Sequence, residues 1–283
     1  MTTRVGIIGS GIMGSGIAEV ASRAGYEVVL RSRRQESADA TVAKMDSSLA
    51  RAVSKGRLTE TEHGEILGRV SATDNLADLA DCDLVIESVV EDKATKLALF
   101  SELDEAVNDD AILATNTSTL PVTEMAMATK RPGKVCGIHF FNPASAMKLV
   151  EVVRPLTTDD ATIDVALEFA KRCGKEPVEV ADRAGFIVNH LLFPYLNNAV
   201  RMLENGTASR EHIDEAMVGG CNFPMGPLAL LDLVGLDTSV AILDALYEEF
   251  GDHHYRVVPL LRRMVSAGHL GRKSGQGFYD YSR

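Results

Sequence analysis

Three residues sit where short apolar runs give way to polar ones, and their types suit acid–base work at a carbonyl. Ile112 to Thr115 runs into Asn116-Thr117-Ser118-Thr119, Val135 to Ile138 runs into His139-Phe140-Phe141-Asn142-Pro143, and the next run, Val150 to Val153, carries Glu151. Reducing a ketone with hydride leaves a developing alkoxide, which needs a proton donor and hydrogen-bond donors; the reverse direction needs a base for the hydroxyl proton. Histidine is the side-chain type suited to that role near neutral pH. Glu151 on the adjoining strand would hold the ring and favour its imidazolium form. Taken singly, each residue has a plainer reading. A lone histidine is a core residue bonded to backbone, and Ser118 is a helix cap ahead of Leu120-Pro121.

A hydride has to come from a cofactor, and the N-terminal segment offers a place for one. Val5-Gly6-Ile7-Ile8-Gly9-Ser10-Gly11-Ile12-Met13-Gly14 reads as a strand entering a dinucleotide loop. Gly9 permits the tight turn, Gly11 lets the backbone approach a pyrophosphate, and Gly14 lets helix and strand pack, with the phosphates on the helix N-terminus beside Ile12 and Met13. About 20 residues beyond such a loop, an acid normally holds the ribose 2′-hydroxyl of NAD. Here the chain reads Arg31-Ser32-Arg33-Arg34. A carboxylate there would repel a 2′-phosphate by roughly 4 kcal/mol at about 4 Å and an effective dielectric near 20. Ser32 removes that repulsion, and Arg33 and Arg34 offer bidentate donors. NADP(H) is favoured, with NAD(H) the alternative if the arginines are only solvated.

These residues need a scaffold that brings strand ends to one edge. From Arg4 to about Asp182 the pattern alternates β-branched runs with helical stretches, the signature of a doubly wound parallel sheet of Rossmann type, in which the carboxyl ends of the strands form the ligand crevice. Strands are expected at Val5 to Ile8, Glu27 to Leu30, Leu84 to Ile86, Ile112 to Thr115, Val135 to Phe140, Val150 to Val153 and Val178 to Val180. A charged helical insertion occupies residues 37–73, with Thr59 and Glu62 spaced as a capping box. After Gly185 the strands stop, and apolar residues from Ile187 to Leu203 recur at helical spacing around Pro194. The expectation is an α/β chain: residues 1–184 a nucleotide-binding domain, residues 185–283 an all-helical domain that closes on substrate and forms a homodimer.

Bulk properties narrow the partners. A chain of 283 residues with 46% apolar and 24% charged residues is an ordinary globular composition, and a formal charge of −11 argues against nucleic acid or an anionic membrane surface. Cys82, Cys136, Cys173 and Cys221 lie far apart without CxxC spacing, so neither a metal site nor a disulfide framework is indicated. No apolar run approaches 18 residues and the first strand begins by Val5, which fits a cytoplasmic protein.

Longer segments carry a resemblance. GSGIMGSGIAEV, DLVIESVVED, ATNTSTLPVTEMA, GIHFFNPASAMKLVEVV, DRAGFIVNHLLFPYLNNAVRMLENG, PMGPLALLDLVGLD and GRKSGQGFYDY make the chain similar, end to end, to the L-3-hydroxyacyl-CoA dehydrogenase family, nearest its bacterial 3-hydroxybutyryl-CoA branch. The resemblance implies His139 as general acid/base, Glu151 as its partner, and Ser118 and Asn189 as donors around the substrate carbonyl, with Asn189 reaching in from the second domain. It implies cofactor contacts from Glu91, Lys96 and Asn116, and CoA contacts from Ser54 and Lys55, although Glu91 and Lys96 alone read as a solvated helix start. Two departures stand out: Ser32 where many relatives carry Asp, which supports NADP(H) and a reductive role, and Ser145-Ala146 within the acyl segment. Rival readings are an L-gulonate-type 3-hydroxyacid dehydrogenase, an acyl-carrier-protein substrate, and a non-catalytic NADP-binding protein.

Overall fold

Short runs of β-branched and aliphatic residues set the architecture, because a strand buried on both faces needs apolar side chains at every position. In the computed structural model, which describes residues 3–282, the chain divides into two compact units, residues 1–182 and 183–283. The first alternates β1 (Arg4–Ile8), α1 (Ile12–Arg23), β2 (Glu27–Arg31), α2 (Gln35–Ser54), α3 (Glu60–Gly68), β3 (Val70–Thr73), β4 (Leu84–Glu87), α4 (Lys93–Ala106), β5 (Ile112–Thr115), α5 (Val122–Met127), β6 (Val135–Phe140), β7 (Leu149–Arg154), α6 (Asp160–Arg172) and β8 (Glu176–Ala181). These strands form one sheet in the order β3-β2-β1-β4-β5-β6-β7-β8.

The sheet is parallel from β3 to β6, and then its direction reverses. β7 pairs antiparallel with β6, while β8 runs parallel to β7. The doubly wound sheet expected from the sequence is thus present, with a reversal at β7 that the pattern did not announce: the link from Phe140 to Leu149 is too short for the crossover of a dozen or more residues that a parallel return requires. The residues assigned to the insertion also divide differently. α2 and α3 form the charged hairpin, with the Thr59–Glu62 capping box in place, but Val70–Thr73 leaves it and pairs with β2 as the sheet's edge strand. Its Val-Ser-Ala-Thr sequence is too short and too polar to announce a strand.

Apolar side chains of alternate strand positions and of the helices packed on them make a core of this unit. Ile7, Ile17, Leu30, Leu84, Ile138, Val152 and Phe169 are among its buried members. The Tyr26 ring packs 5.2 Å from that of Phe169 and lies under the Arg172 guanidinium.

The second unit is helical: α7 (Val188–Glu204), α8 (Arg210–Cys221), α9 (Pro227–Val234), α10 (Leu236–Phe250) and α11 (Pro259–Ser266). Pro194 lies inside α7. Phe193, Leu196, Leu231, Leu243, Leu261 and Phe278 share its core. α11 escaped the sequence pattern because Leu-Leu-Arg-Arg-Met-Val is a short amphipathic stretch entered at Pro259, where a proline in the first turn suits a helix start.

Candidate active site

The glycine loop shows which of its glycines serve the chain and which serve a ligand. A Cβ on Gly9 would lie 2.2 Å from the Ser88 carbonyl oxygen, and one on Gly14 would lie 1.9 Å from the Gly9 oxygen. Gly9 also holds φ at +118°, a conformation that L side chains rarely adopt. Those two glycines are required by the turn and by helix packing. A Cβ on Gly11, by contrast, would meet nothing within 4 Å. No protein atom demands that glycine, so its bareness suits the close approach of something else. Ser15 N–H donates to the Gly11 carbonyl at 2.9 Å as α1 begins, and the N–H groups of Ile12, Met13 and Gly14 precede that first bond at the positive end of the helix. The residues fit a dinucleotide pyrophosphate.

At the end of β2, Ser32 is buried with its hydroxyl 2.9 Å from that of Ser10. Arg33 and Arg34 are exposed at the start of α2. Arg31 turns away, donating to the Asp74 carbonyl at 3.2 Å. Ser10 was not singled out from the sequence, since any small residue satisfies the loop motif there.

At the opposite end of the crevice the antiparallel pairing of β6 and β7 sets His139 directly across from Glu151. Opposed residues of an antiparallel pair project from the same face about 4.5–5.5 Å apart at Cβ, and here the His139 Nδ1 lies 2.8 Å from Glu151 Oε2. Both are buried, at 4% and 0% exposure, so solvent does little to screen the pair. The Phe141 ring packs 4.5 Å from the imidazole. Asn116 Oδ1 accepts the Phe140 N–H at 2.8 Å, which ties the end of β5 to the strand carrying His139. Asn116 thus braces the site through backbone.

Glu91, Lys96 and Ser118 also come together. Lys96 is 1% exposed, and its ammonium lies 2.6 Å from Glu87 Oε1 and 3.3 Å from Glu91 Oε2. Glu91 Oε1 accepts from the Thr117 hydroxyl and from Ser118 N–H at 2.8 Å. Glu87 accepts further bonds from Val89 N–H at 2.6 Å and from the Thr115 hydroxyl at 2.7 Å. The lysine is therefore no solvated helix-start residue. Nor does Ser118 cap α5, whose first N–H groups, on Val122 and Thr123, donate to Asp182 at 3.1 and 2.7 Å. Glu87 was missed: it closes the apolar run Leu84-Val85-Ile86 at a strand's carboxyl end, and nothing in that run names Lys96 as its partner.

Two groups of expected residues belong to other elements. Ser54 and Lys55 are exposed at the end of α2, where the Ser54 hydroxyl donates to Arg51 O at 2.9 Å within its own helix. Asn189 belongs to the other unit, in the first turn of α7. Among the described residues no cluster of His, Cys, Asp and Glu is arranged to hold a metal ion, and no helix is long and apolar enough to cross a membrane.

Comparison with known proteins covers nearly the whole chain. The family described as "3-hydroxyacyl-CoA dehydrogenase, NAD binding domain" matches residues 4–183, and "3-hydroxyacyl-CoA dehydrogenase, C-terminal domain" matches residues 185–281. The 3-hydroxybutyryl-CoA dehydrogenase of Mycobacterium tuberculosis H37Rv is 52% identical over 98% of this chain and 98% of its own. That of Clostridioides difficile is 50% identical over 99% and 100%. Among solved structures, the (S)-3-hydroxybutyryl-CoA dehydrogenase of Ralstonia eutropha superimposes with a TM-score of 0.97 at 42% identity, covering 100% of both chains.

Proposed function

The chain belongs to the 3-hydroxyacyl-CoA dehydrogenase family, an oxidoreductase family, and from that premise we propose that it interconverts acetoacetyl-CoA and (S)-3-hydroxybutyryl-CoA, with NADP(H) favoured over NAD(H). The observation that carries the reading is the buried His139–Glu151 pair at the carboxyl edge of the sheet. Held by the glycine loop from Gly9 to Gly14, a nicotinamide cofactor would supply or accept the hydride at C3. Glu151, facing Nδ1, holds a proton on that nitrogen, so that Nε2 of the imidazolium gives its proton to the developing alkoxide and Nε2 of the neutral ring takes one from the hydroxyl. Holding the ring in one orientation is what lets a general acid contribute its usual 10²- to 10⁴-fold, roughly. Ser118 and Asn189 serve as hydrogen-bond donors to the substrate oxygen. Glu91 anchors the backbone of the Ser118 loop, so the same carboxylate that faces Lys96 also fixes the serine's position.

The cofactor preference rests on Ser32, Arg33 and Arg34. No carboxylate stands at the end of β2, and two exposed guanidinium groups follow the serine. Ser54 and Lys55 supply the CoA contacts on this reading, the lysine giving an anionic ligand a local cation on an acidic protein. The helical unit closes on substrate and pairs with a second copy, in a cytoplasmic enzyme.

Initial rates of NADPH and NADH oxidation with acetoacetyl-CoA test both parts. Faster turnover with NADPH at equal subsaturating concentration is expected, and Ser32→Asp should reverse the preference, weakening NADPH by on the order of a hundredfold or more through the repulsion it restores. An NADH preference in the unaltered protein would discard the cofactor assignment while keeping the reaction. Failure to oxidise either cofactor would overturn the reaction.

A further inference from the structure

Lys96 is held between two carboxylates, and the three side chains sum to one negative charge. The Glu87 carboxylate is fully buried, and the ammonium it faces is 1% exposed. Around them the donors are neutral: Val89 N–H and the Thr115 hydroxyl on Glu87, and the Thr117 hydroxyl and Ser118 N–H on Glu91. These donors spread the excess charge over hydrogen bonds without cancelling it. The cluster also lies beside the nucleotide loop, because Ser88, next in sequence to Glu87, donates its N–H to the Ile8 carbonyl at 2.7 Å and crowds Gly9 with its own carbonyl. It stands on β4, the loop that follows it and the first turn of α4, with donors from β5 and the loop after β5, in the half of a doubly wound sheet beyond the switch point, where the second mononucleotide of a dinucleotide lies.

A nicotinamide ring is cationic when oxidised and neutral when reduced. A fixed negative charge near it therefore distinguishes the two forms, and burial keeps that discrimination from being screened. The geometry points to Glu87 as the residue that sets the balance: it leaves the cluster with a net negative charge despite Lys96, and so raises the affinity for oxidised cofactor relative to reduced. Lys96 moderates the same field with the opposite sign. This inference rests on the cofactor reading above, and extends it from which cofactor binds to which redox form is retained.

Dissociation constants of the oxidised and reduced cofactor, measured by direct titration without substrate, test it in the full-length protein. Glu87→Gln makes the cluster neutral and should raise the ratio of the oxidised to the reduced constant by about tenfold, the scale expected of one charge at close range in a partly dry site. Lys96→Met leaves two negative charges and should move the ratio the other way by a similar factor. Glu91→Gln removes the same charge as Glu87→Gln from a side chain that is 40% exposed, and it carries the test if the buried variant does not fold. A purely structural role would weaken both forms together in every variant. Ratios that stay unchanged, or that move in the same direction for the glutamate and lysine variants, overturn the inference while leaving the cofactor reading intact. Failure of the unaltered protein to bind either form would overturn that reading and the inference with it.

Discussion

The sheet unit and the helical unit both bury carboxylates, and they satisfy them by different means. In the sheet unit Glu151 faces an imidazole and Glu87 faces an ammonium. In the helical unit Asp214 accepts Leu228 N–H and Ala229 N–H at 2.8 and 3.0 Å together with the Tyr279 hydroxyl, and Asp232 accepts Phe278 N–H and Tyr279 N–H at 2.8 and 2.9 Å. Backbone N–H groups cannot change charge, so the aspartates act as fasteners: Asp214 caps the start of α9, and Asp232 pins the C-terminal segment to that helix. A Cβ on Gly277 would fall 1.9 Å from Asp232 Oδ1, which shows how closely the segment is drawn in. A carboxylate that faces an imidazole or an ammonium can instead do chemistry or shape a field. Burial alone does not separate the two kinds of acid; the partner does.

If that distinction holds, substitutions on the two sides should fail in different measurements. The largest effect is expected at His139. His139→Ala should lower turnover by roughly 10²- to 10⁴-fold, the usual worth of a positioned general acid, while the cofactor dissociation constant of the folded protein changes little. A variant that keeps its rate would place the proton transfer elsewhere and reduce His139 and Glu151 to one more structural pair.

The converse should hold at Asp232, with a smaller effect that falls on stability. Asp232→Ala strands two buried N–H groups, and leaving a buried donor unsatisfied costs about 1–3 kcal/mol each, less whatever water recovers. Denaturant unfolding should show that loss while the cofactor dissociation constant in the folded protein stays within about twofold. A collapse of cofactor binding without a loss of stability would refute the division of labour between the units.

How far this was readable in advance depended on the reach of each interaction. Strand ends, the glycine loop and the capping box are local patterns, and their residues could be named from the sequence. His139 and Glu151 were also visible, because two consecutive strands carry them. The strand Val70–Thr73, the reversal at β7, Glu87 and the two fastening aspartates were not. Each is defined by a partner that the local pattern does not name: β2 for the edge strand, Lys96 for Glu87, residues 278 and 279 for Asp232. Asp232 in particular sits within an apolar helical stretch, Leu-Leu-Asp-Leu-Val, where an acid reads as a solvent-facing position.

The finest test of the comparison is the sign of two pH dependences. Burial pushes the Asp232 carboxyl above its ordinary value of 3.8, and the bonds from Tyr279 and Phe278 N–H only partly offset it. Thr59 donates its N–H and its hydroxyl to Glu62, which lies in the open, and those bonds hold the carboxyl below the ordinary 4.5. Asp232 therefore binds its proton more tightly folded than unfolded, so its stabilising share is full below 3.8 and is lost as pH rises through the raised value. Glu62 behaves oppositely, stabilising above 4.5 and losing its share as pH falls through the lowered value. Unfolding free energies measured across acid pH should show that Asp232→Asn removes a decline with rising pH, whereas Glu62→Gln removes a smaller decline with falling pH. Equal signs for the two would mean that desolvation does not govern Asp232. The buried fastener would then be held by its hydrogen bonds in the same way as the exposed cap.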